Sequence, residues 1–306
     1  MGFASVEEIE TRAKEQECQL WETILHDDMT ERQVDRLESI GKMSSMYLAM
    51  KDANESYDKD LKSQSGLSGG DGEKMMEEVR KMQNLTGEFV GTVMANALKM
   101  GESNACMKRI VAAPTAGACG VLPAVLITYE QFHKVPEAKM LEGMYIAAGV
   151  GQVIAERACI AGAQGGCQAE IGSASCMAAT AITYIRGGST KQIFDAGAFA
   201  LKSLLGLVCD PLGGLVEVPC IKRNVIGSVN AITASDMAMA GIESKVPLDE
   251  VIDAMAEVGR VLRRKYLPQL HLNLDRILQV IHKPQPVRDT DAVRIDDRGA
   301  GHLEHI

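Results

Sequence analysis

Apolar side chains recur every three or four residues along most of this 306-residue chain, and no alternation of apolar and polar residues is long enough to predict a strand. Such spacing places apolar side chains on one face of an α-helix. A clear example follows Pro247, a residue type favoured at the first position of a helix, with apolar residues at Val251, Met255, Val258 and Leu262. The sequence therefore predicts a mostly α fold, a compact helical domain whose packed helices are interrupted by glycine-rich loops.

The chain is long enough for one large core or at most two, since 46% of its residues are hydrophobic and 24% are charged. No fixed-period repeat or clear linker divides it. We therefore predict a single helical domain over residues 1–283. Within it, residues 1–60 form two amphipathic helices and residues 61–283 form the core that holds the functional loops. Residues 284–306 are charged and lack an apolar period, which indicates a surface tail.

Charge and hydropathy exclude two classes of partner. The formal net charge is −9 and no cluster of Lys and Arg is present, so a nucleic-acid partner is not expected. The uncharged segment 110–129 has about the 20 residues that a membrane-spanning helix needs, but Pro114, Gly117, Gly120 and Pro123 interrupt it. We expect a loop followed by a short buried helix there, and no membrane partner.

Eight cysteines and no secretory leader favour a reduced cytoplasmic protein in which cysteines are thiols, metal ligands or core residues. Three of them, Cys167, Cys209 and Cys220, lie in turns rich in Gly and Pro that read GGCQ, CDPLGG and VPCI. Backbone of that kind can curve around a bound group, whereas a cysteine inside a helix usually fills space. These three turns predict one metal or cluster site.

The spacing of the three cysteines, 42 and 11 positions, matches neither a zinc ribbon nor a ferredoxin. Three thiolates can ligate three irons of a cubane and leave the fourth iron free to bind water or substrate oxygen. A fourth thiolate from Cys176 or Cys119 would instead complete an electron-transfer cluster. Three buried thiols that bind nothing are the third alternative.

Four stretches resemble the α chain of iron–sulfur-dependent L-serine dehydratase, also called L-serine ammonia-lyase. They are SGLSGGDG (65–72), APTAGACGVLPAVL (113–126), GAQGGCQAEIGSASCMAATA (162–181) and CDPLGGLVEVPCIKRNVIGSVNAITASDMAMAG (209–241). The resemblance covers residues 42 to 264, and its last two motifs are long and specific.

The resemblance implies that Cys167, Cys209 and Cys220 hold a [4Fe-4S] cluster whose fourth iron faces the substrate, in a helical catalytic domain. It also implies that L-serine loses water to give aminoacrylate, which tautomerises to an imine and hydrolyses to pyruvate and ammonia. The other half of such enzymes carries a serine-rich loop ending in histidine, similar to GPSSSH, which this sequence lacks. That departure matches the two-chain form of the family, so a separate β chain is the expected partner, in an oligomer.

The substrate carboxylate needs hydrogen-bond donors or cations, which turn amides and basic side chains near the cysteines can supply. The candidates are Ser68, Gly69, Gly70, Asp71, Thr115, Ala116, Gly117, Lys222, Arg223 and Asn224. Each has a simpler alternative. The SGGDG loop can be a helix-entry turn, Lys222 and Arg223 can be solvated cations, and Asn224 can be a helix cap.

No histidine lies in a pattern typical of a general base, so the catalytic base is not assigned. Dinucleotide, P-loop and pyridoxal phosphate motifs are absent from the sequence. Two alternative functions remain open. One is a related cluster-dependent lyase such as a cysteine desulfidase, because an open iron can also bind a thiol leaving group. The other is a non-catalytic metal-binding subunit whose partner performs the chemistry.

Overall fold

The computed structural model describes residues 2–265, in which all regular structure is helical and no strand occurs. The predicted mostly α fold is therefore confirmed. In chain order the helices are α1 (Val6–Glu15), α2 (Leu20–Arg32), α3 (Arg36–Glu55), α4 (Asp71–Arg80), α5 (Gly87–Ala105), α6 (Val121–His133), α7 (Glu137–Arg157), the single turn α8 (Gly162–Gly165), α9 (Ser173–Ile185), α10 (Thr190–Lys202), α11 (Cys220–Met239) and α12 (Leu248–Lys265). The predicted tail 284–306 lies outside the described residues.

The N-terminal segment forms three helices, so the prediction of two was wrong. Ser5 caps α1 by accepting a hydrogen bond from the Glu8 N–H, and Asp35 caps α3 by accepting one from the Glu38 N–H. Gln19 begins α2 in a capping box with Glu22. These caps fix helix starts that the apolar spacing does not distinguish, because the spacing continues across the turns.

The apolar spacing of Met75, Val79, Met82, Phe89, Val93 and Ala97 is that of one continuous helix, but the structure divides this segment into α4 and α5. Arg80 is the last residue of α4, and Met82 adopts a left-handed backbone with φ of 53°. The Met82 side chain is 88% exposed although it fits the apolar period of the helix. Met82 therefore fits the apolar spacing of a helix but is not part of the core.

Helix α9 forms the centre of the fold, and every one of its residues is buried. It carries no charged side chain and packs against α6, α7, α10 and α11. Small residues allow this close approach. A Cβ at Gly143 of α7 would lie 2.5 Å from Ile185 Cδ1, and one at Gly197 of α10 would lie 2.8 Å from Thr180 Cγ2. The centre of the fold is therefore a tightly enclosed apolar helix.

Segment 110–129 has the expected arrangement, a loop with one 3₁₀ turn (Ala116–Ala118) followed by α6. Val121 to Thr128 of α6 are buried in the core. Within residues 2–265, no helix combines the length and the apolar character needed to cross a bilayer.

The start of α4 is held by a buried carboxylate from α5. Glu102 is 1% exposed and accepts hydrogen bonds from the backbone N–H groups of Asp71 (2.8 Å) and Gly72 (3.1 Å) and from the Tyr57 hydroxyl (2.6 Å). Negative charge is favourable at a helix N-terminus, where backbone N–H groups lack helical partners. Glu102 therefore fixes the loop that precedes α4.

Substitution Glu102→Gln should lower the free energy of unfolding by about 1–3 kcal/mol, because a charge-assisted set of buried hydrogen bonds is weakened. Urea denaturation followed by circular dichroism measures this change. Glu77→Gln, at an exposed position of α4, is the matched control and should change stability by less than about 0.5 kcal/mol. Equal losses in the two variants would contradict the role given to Glu102.

Candidate active site

Cys167 and Cys209 are brought together by a glycine. Gly166 has φ of 81°, and a Cβ there would lie 2.8 Å from the Leu207 carbonyl oxygen, so only glycine permits the close approach of the two segments. Hydrogen bonds then join them. The Gln168 N–H donates to Leu207 O (3.1 Å), and the Gly206 N–H donates to Gln168 Oε1 (2.8 Å). The loop after α10 is thus held beside the residue that follows Gly166.

Cys220, the third cysteine, is the first residue of α11. All three sulfurs are free thiols. Cys167 and Cys220 are 1% and 5% exposed, whereas Cys209 is partly exposed. The other half-exposed cysteines, such as Cys106, lie elsewhere in the chain. The three predicted turns therefore present two buried thiols and one more accessible thiol.

The three thiols influence one another electrostatically. Hydrogen bonding to the Cys209 thiol, opposed by burial and assisted by the positive charge of Arg223, lowers the pKa of Cys167. The same hydrogen bond, together with burial, raises the pKa of Cys209. Burial, followed by the negative charge of Cys167, raises the pKa of Cys220 to about 12. The first thiolate to form in this trio is therefore that of Cys167.

The first turn of α11 also carries the three consecutive side chains Lys222, Arg223 and Asn224, and each reaches a different loop. The guanidinium of Arg223 donates to the Val208 carbonyl (2.9 Å) and to the Asp210 carboxylate. These contacts fix the segment that contains Cys209 against the helix that begins at Cys220. Arg223 therefore binds the segment that contains Cys209 and is not a solvated surface cation.

Asn224 is 1% exposed and holds the loop that precedes α6. Its Oδ1 accepts from the Gly120 N–H (2.8 Å), and its Nδ2 donates to the carbonyl oxygens of Gly117 (2.8 Å) and Cys220 (3.0 Å). Asn224 thus ties the loop before α6 to the first residue of its own helix, which is more than a helix cap would do. The predicted residues Thr115, Ala116 and Gly117 belong to the loop that it holds.

Lys222 reaches the third loop, residues 62–72, through an ion pair with Asp71 (2.7 Å). Glu217, just before α11, accepts hydrogen bonds from the hydroxyls of Ser63 (2.7 Å) and Ser65 (2.9 Å) in the same loop. The ten predicted substrate residues therefore come from the beginning of α11 itself and from two segments that contact it.

Within that loop, the predicted donors differ in availability. The Asp71 N–H already donates to Glu102, and the Asp71 carboxylate is paired with Lys222, so neither group is free for a substrate. Gly69 and Gly70 have φ of 126° and 85°, and a Cβ at Gly69 would lie 2.2 Å from the Leu61 carbonyl oxygen. The Ser68 hydroxyl is buried and has no hydrogen-bond partner among the described residues. Four other described side chains also have a buried polar atom without a partner, those of Trp21, Asn54, Ser103 and Ser173, and Ser68 is the one among them that the sequence predicts for the substrate.

Sequence reasoning did not single out Glu170. Its carboxylate accepts a hydrogen bond from the Thr115 hydroxyl (3.0 Å), and its charge is felt by all three thiols. Burial raises the pKa of Glu170, while the Thr115 hydroxyl and the Gly162 N–H lower it. A signal was present in the sequence, because Glu170 is the only charged residue between Arg157 and Arg186.

The donor set suits a cluster better than a single ion. No group of three or more His, Cys, Asp or Glu side chains in the described part of the chain has the arrangement to hold one metal ion. In a cluster each thiolate binds a different iron, so the sulfurs need not converge on one point as they do around zinc. Thiolates are soft ligands that suit iron–sulfur clusters, and Arg223 offsets part of their negative charge. The residues present therefore fit an iron–sulfur cluster.

Comparison with known proteins identifies the family. The sequence model described as serine dehydratase alpha chain matches residues 15–269. This chain belongs to the serine dehydratase alpha-chain family. The match includes the three cysteines, the first turn of α11 and the loops that it contacts.

Individual relatives agree with the family match. The chain is 40% identical over 260 residues to the probable L-serine dehydratase alpha chain of Bacillus subtilis, covering 85% of this chain and 87% of that protein. It is 44% identical over 190 residues to the L-serine dehydratase alpha chain of Peptoniphilus asaccharolyticus, covering 62% and 65%. It is 46% identical over 172 residues to the L-serine dehydratase of Haemophilus influenzae, covering 56% of this chain but only 38% of that longer protein.

Substitution Asn224→Ala should lower the free energy of unfolding by about 2–4 kcal/mol, because it leaves the Gly120 N–H and the Gly117 carbonyl without their partner. Asn104→Ala is the matched control, since Asn104 Nδ2 donates to the Ala116 carbonyl of the same loop from a more exposed position (3.2 Å). We expect that control to cost less than about 1 kcal/mol in urea denaturation. A loss from Asn224→Ala no larger than that of the control would refute the loop-holding role.

Proposed function

We propose that this chain is the catalytic α chain of an iron–sulfur-dependent L-serine dehydratase, which converts L-serine into pyruvate and ammonia. The observation that supports it most is that the residue after Cys167 and the helix that begins at Cys220 both hydrogen-bond to the segment before Cys209, in a chain of the serine dehydratase alpha-chain family. Relatives named L-serine dehydratase support L-serine as the substrate.

Cys167, Cys209 and Cys220 would hold a [4Fe-4S] cluster through their three thiolates. When bound, such a group supplies a Lewis acid that can offset the negative charge developing on the hydroxyl of L-serine as the C–O bond breaks. Arg223 stabilises the thiolate form of Cys167 and keeps the Cys209 segment in place. Its role is thus to position the ligands and balance their charge.

Substrate recognition would use groups that no other part of the chain occupies. The Ser68 hydroxyl is the best-placed donor for the carboxylate of L-serine, because it is buried without a partner among the described residues. Gly69, Gly70, Ala116 and Gly117 would shape the same pocket with their backbone. Lys222 and Asp71 neutralise each other, so we assign them to holding the loop rather than to the substrate.

We further propose that the active enzyme contains a separate β chain and works in the cytoplasm. The family description and the names of two relatives specify an alpha chain. The longer H. influenzae relative, of which this chain covers 38%, carries additional sequence in one polypeptide. A partner chain would supply the corresponding part, including the serine-rich loop that this sequence lacks.

The cofactor assignment predicts about four irons and four sulfides per chain after anaerobic reconstitution. Cys209→Ala should lower the iron content severalfold, because one of the three proposed ligands is lost. Cys106→Ala removes a half-exposed cysteine outside the trio and is the matched control, which should bind iron like the native chain. Elemental analysis and visible absorption measure both. Iron content unchanged by Cys209→Ala would be incompatible with the ligand set.

The activity assignment predicts that the anaerobically reconstituted α and β chains release pyruvate and ammonia from L-serine, and that chelation of the iron abolishes this turnover. Pyruvate is measured with a coupled dehydrogenase assay. The same assay, together with sulfide release, compares L-serine with L-threonine and L-cysteine. Turnover that survives complete removal of iron would sink the proposal, and a preference for L-cysteine would assign the chain to desulfidation instead.

A further inference from the structure

Glu170 is a carboxylate of the site with no cationic partner among the described side chains. Its Oε1 accepts from the Thr115 hydroxyl, and no Lys, Arg or His among the described residues forms an ion pair with it. Arg223 is already bound to Asp210. A partly buried carboxylate without a cationic partner is costly, so it either takes up a proton, in keeping with the raised pKa of Glu170, or binds a group that supplies positive charge.

The backbone around Glu170 has an unusual conformation. Glu170 lies in a five-residue π-helical turn (Gln168–Gly172) between Cys167 and α9. Such turns are rare in proteins as a whole. Where they occur, they often lie at functional sites, because they change the direction in which a side chain points. The turn places the Glu170 carboxylate near the three thiols, where its negative charge contributes to raising the pKa of Cys209 and Cys220.

Two glycines leave room for the carboxylate. A Cβ at Gly117 would lie 3.0 Å from Glu170 Oε2, and a Cβ at Gly162 would lie 2.7 Å from the same atom. Neither glycine has a left-handed backbone, so conformation does not require glycine at these positions. The space around Glu170 Oε2 is what would be lost by substitution.

We propose that Glu170 binds the α-ammonium group of the amino-acid substrate, with Thr115 orienting the carboxylate through its hydroxyl. This proposal rests on the proposed function and assigns the residue that distinguishes an amino acid from the corresponding hydroxy acid. The ammonium provides the positive charge that no described side chain places in an ion pair with Glu170. An ammonium has three N–H donors, so it can donate to the lone pairs of the Glu170 carboxylate that the Thr115 hydroxyl and the Gly162 N–H leave unused.

The test compares L-alanine with L-lactate as ligands of the reconstituted complex of α and β chains. Both are three-carbon carboxylates without a β-hydroxyl, and they differ in carrying an ammonium or a hydroxyl on Cα. Glu170→Gln keeps the size of the side chain and its acceptor for Thr115 but removes the charge. We expect this variant to weaken L-alanine binding roughly 10- to 100-fold and to leave L-lactate binding within about twofold. Equilibrium dialysis and inhibition of L-serine turnover measure these affinities.

Glu77→Gln, on the exposed surface of α4, is the matched charge control and should bind both ligands like the native complex. Iron content must equal that of the native complex. If Glu170→Gln loses iron, Gly162→Ala replaces it, because an added methyl group displaces the carboxylate while keeping its charge, and it should weaken L-alanine binding selectively.

The outcomes separate the two proposals. Native binding of L-alanine by Glu170→Gln, or an equal loss of L-alanine and L-lactate binding, overturns the ammonium assignment while L-serine turnover by the native complex still supports the proposed function. A native complex that retains its iron but neither converts L-serine nor binds L-alanine overturns the proposed function itself.

Discussion

The first turn of α11 is the physical constraint on which the candidate site depends. Lys222, Arg223 and Asn224 are consecutive, so helical geometry directs them about 100° apart around the axis, and each binds a different loop. The helix itself begins at Cys220. A single rigid turn therefore sets the relative positions of one cysteine, the segment of a second cysteine and both loops expected to contact a substrate.

Charge is distributed unevenly across this arrangement. Three thiols and the Glu170 carboxylate lie within electrostatic range of one another, and Arg223 is the cation whose charge reaches Cys167. Negative charge on Cys167 and Glu170 disfavours ionisation of the other two thiols, and it contributes to raising the pKa of Cys209 and Cys220.

The features best predicted from the sequence are those that a regular spacing or a long motif specifies. Helical spacing predicted the mostly α fold, and the long cysteine motifs predicted the family that the comparison then identified. The features predicted least well are the roles of residues that depend on contacts with distant parts of the chain. Met82 matched the helical period yet lies exposed at a helix end, and Glu170 looked like one acidic residue among 41 Asp and Glu. Its role depends on Thr115, which is 55 positions away in the chain.

The enclosure of α9 determines the direction from which small molecules can arrive. Four helices surround α9, and none of its residues is exposed. A small molecule therefore cannot reach Cys167 through the part of the core that α9 occupies. Cys209 is the thiol in contact with water. Of the three thiols, Cys209 is therefore the one that a small molecule in solution contacts first.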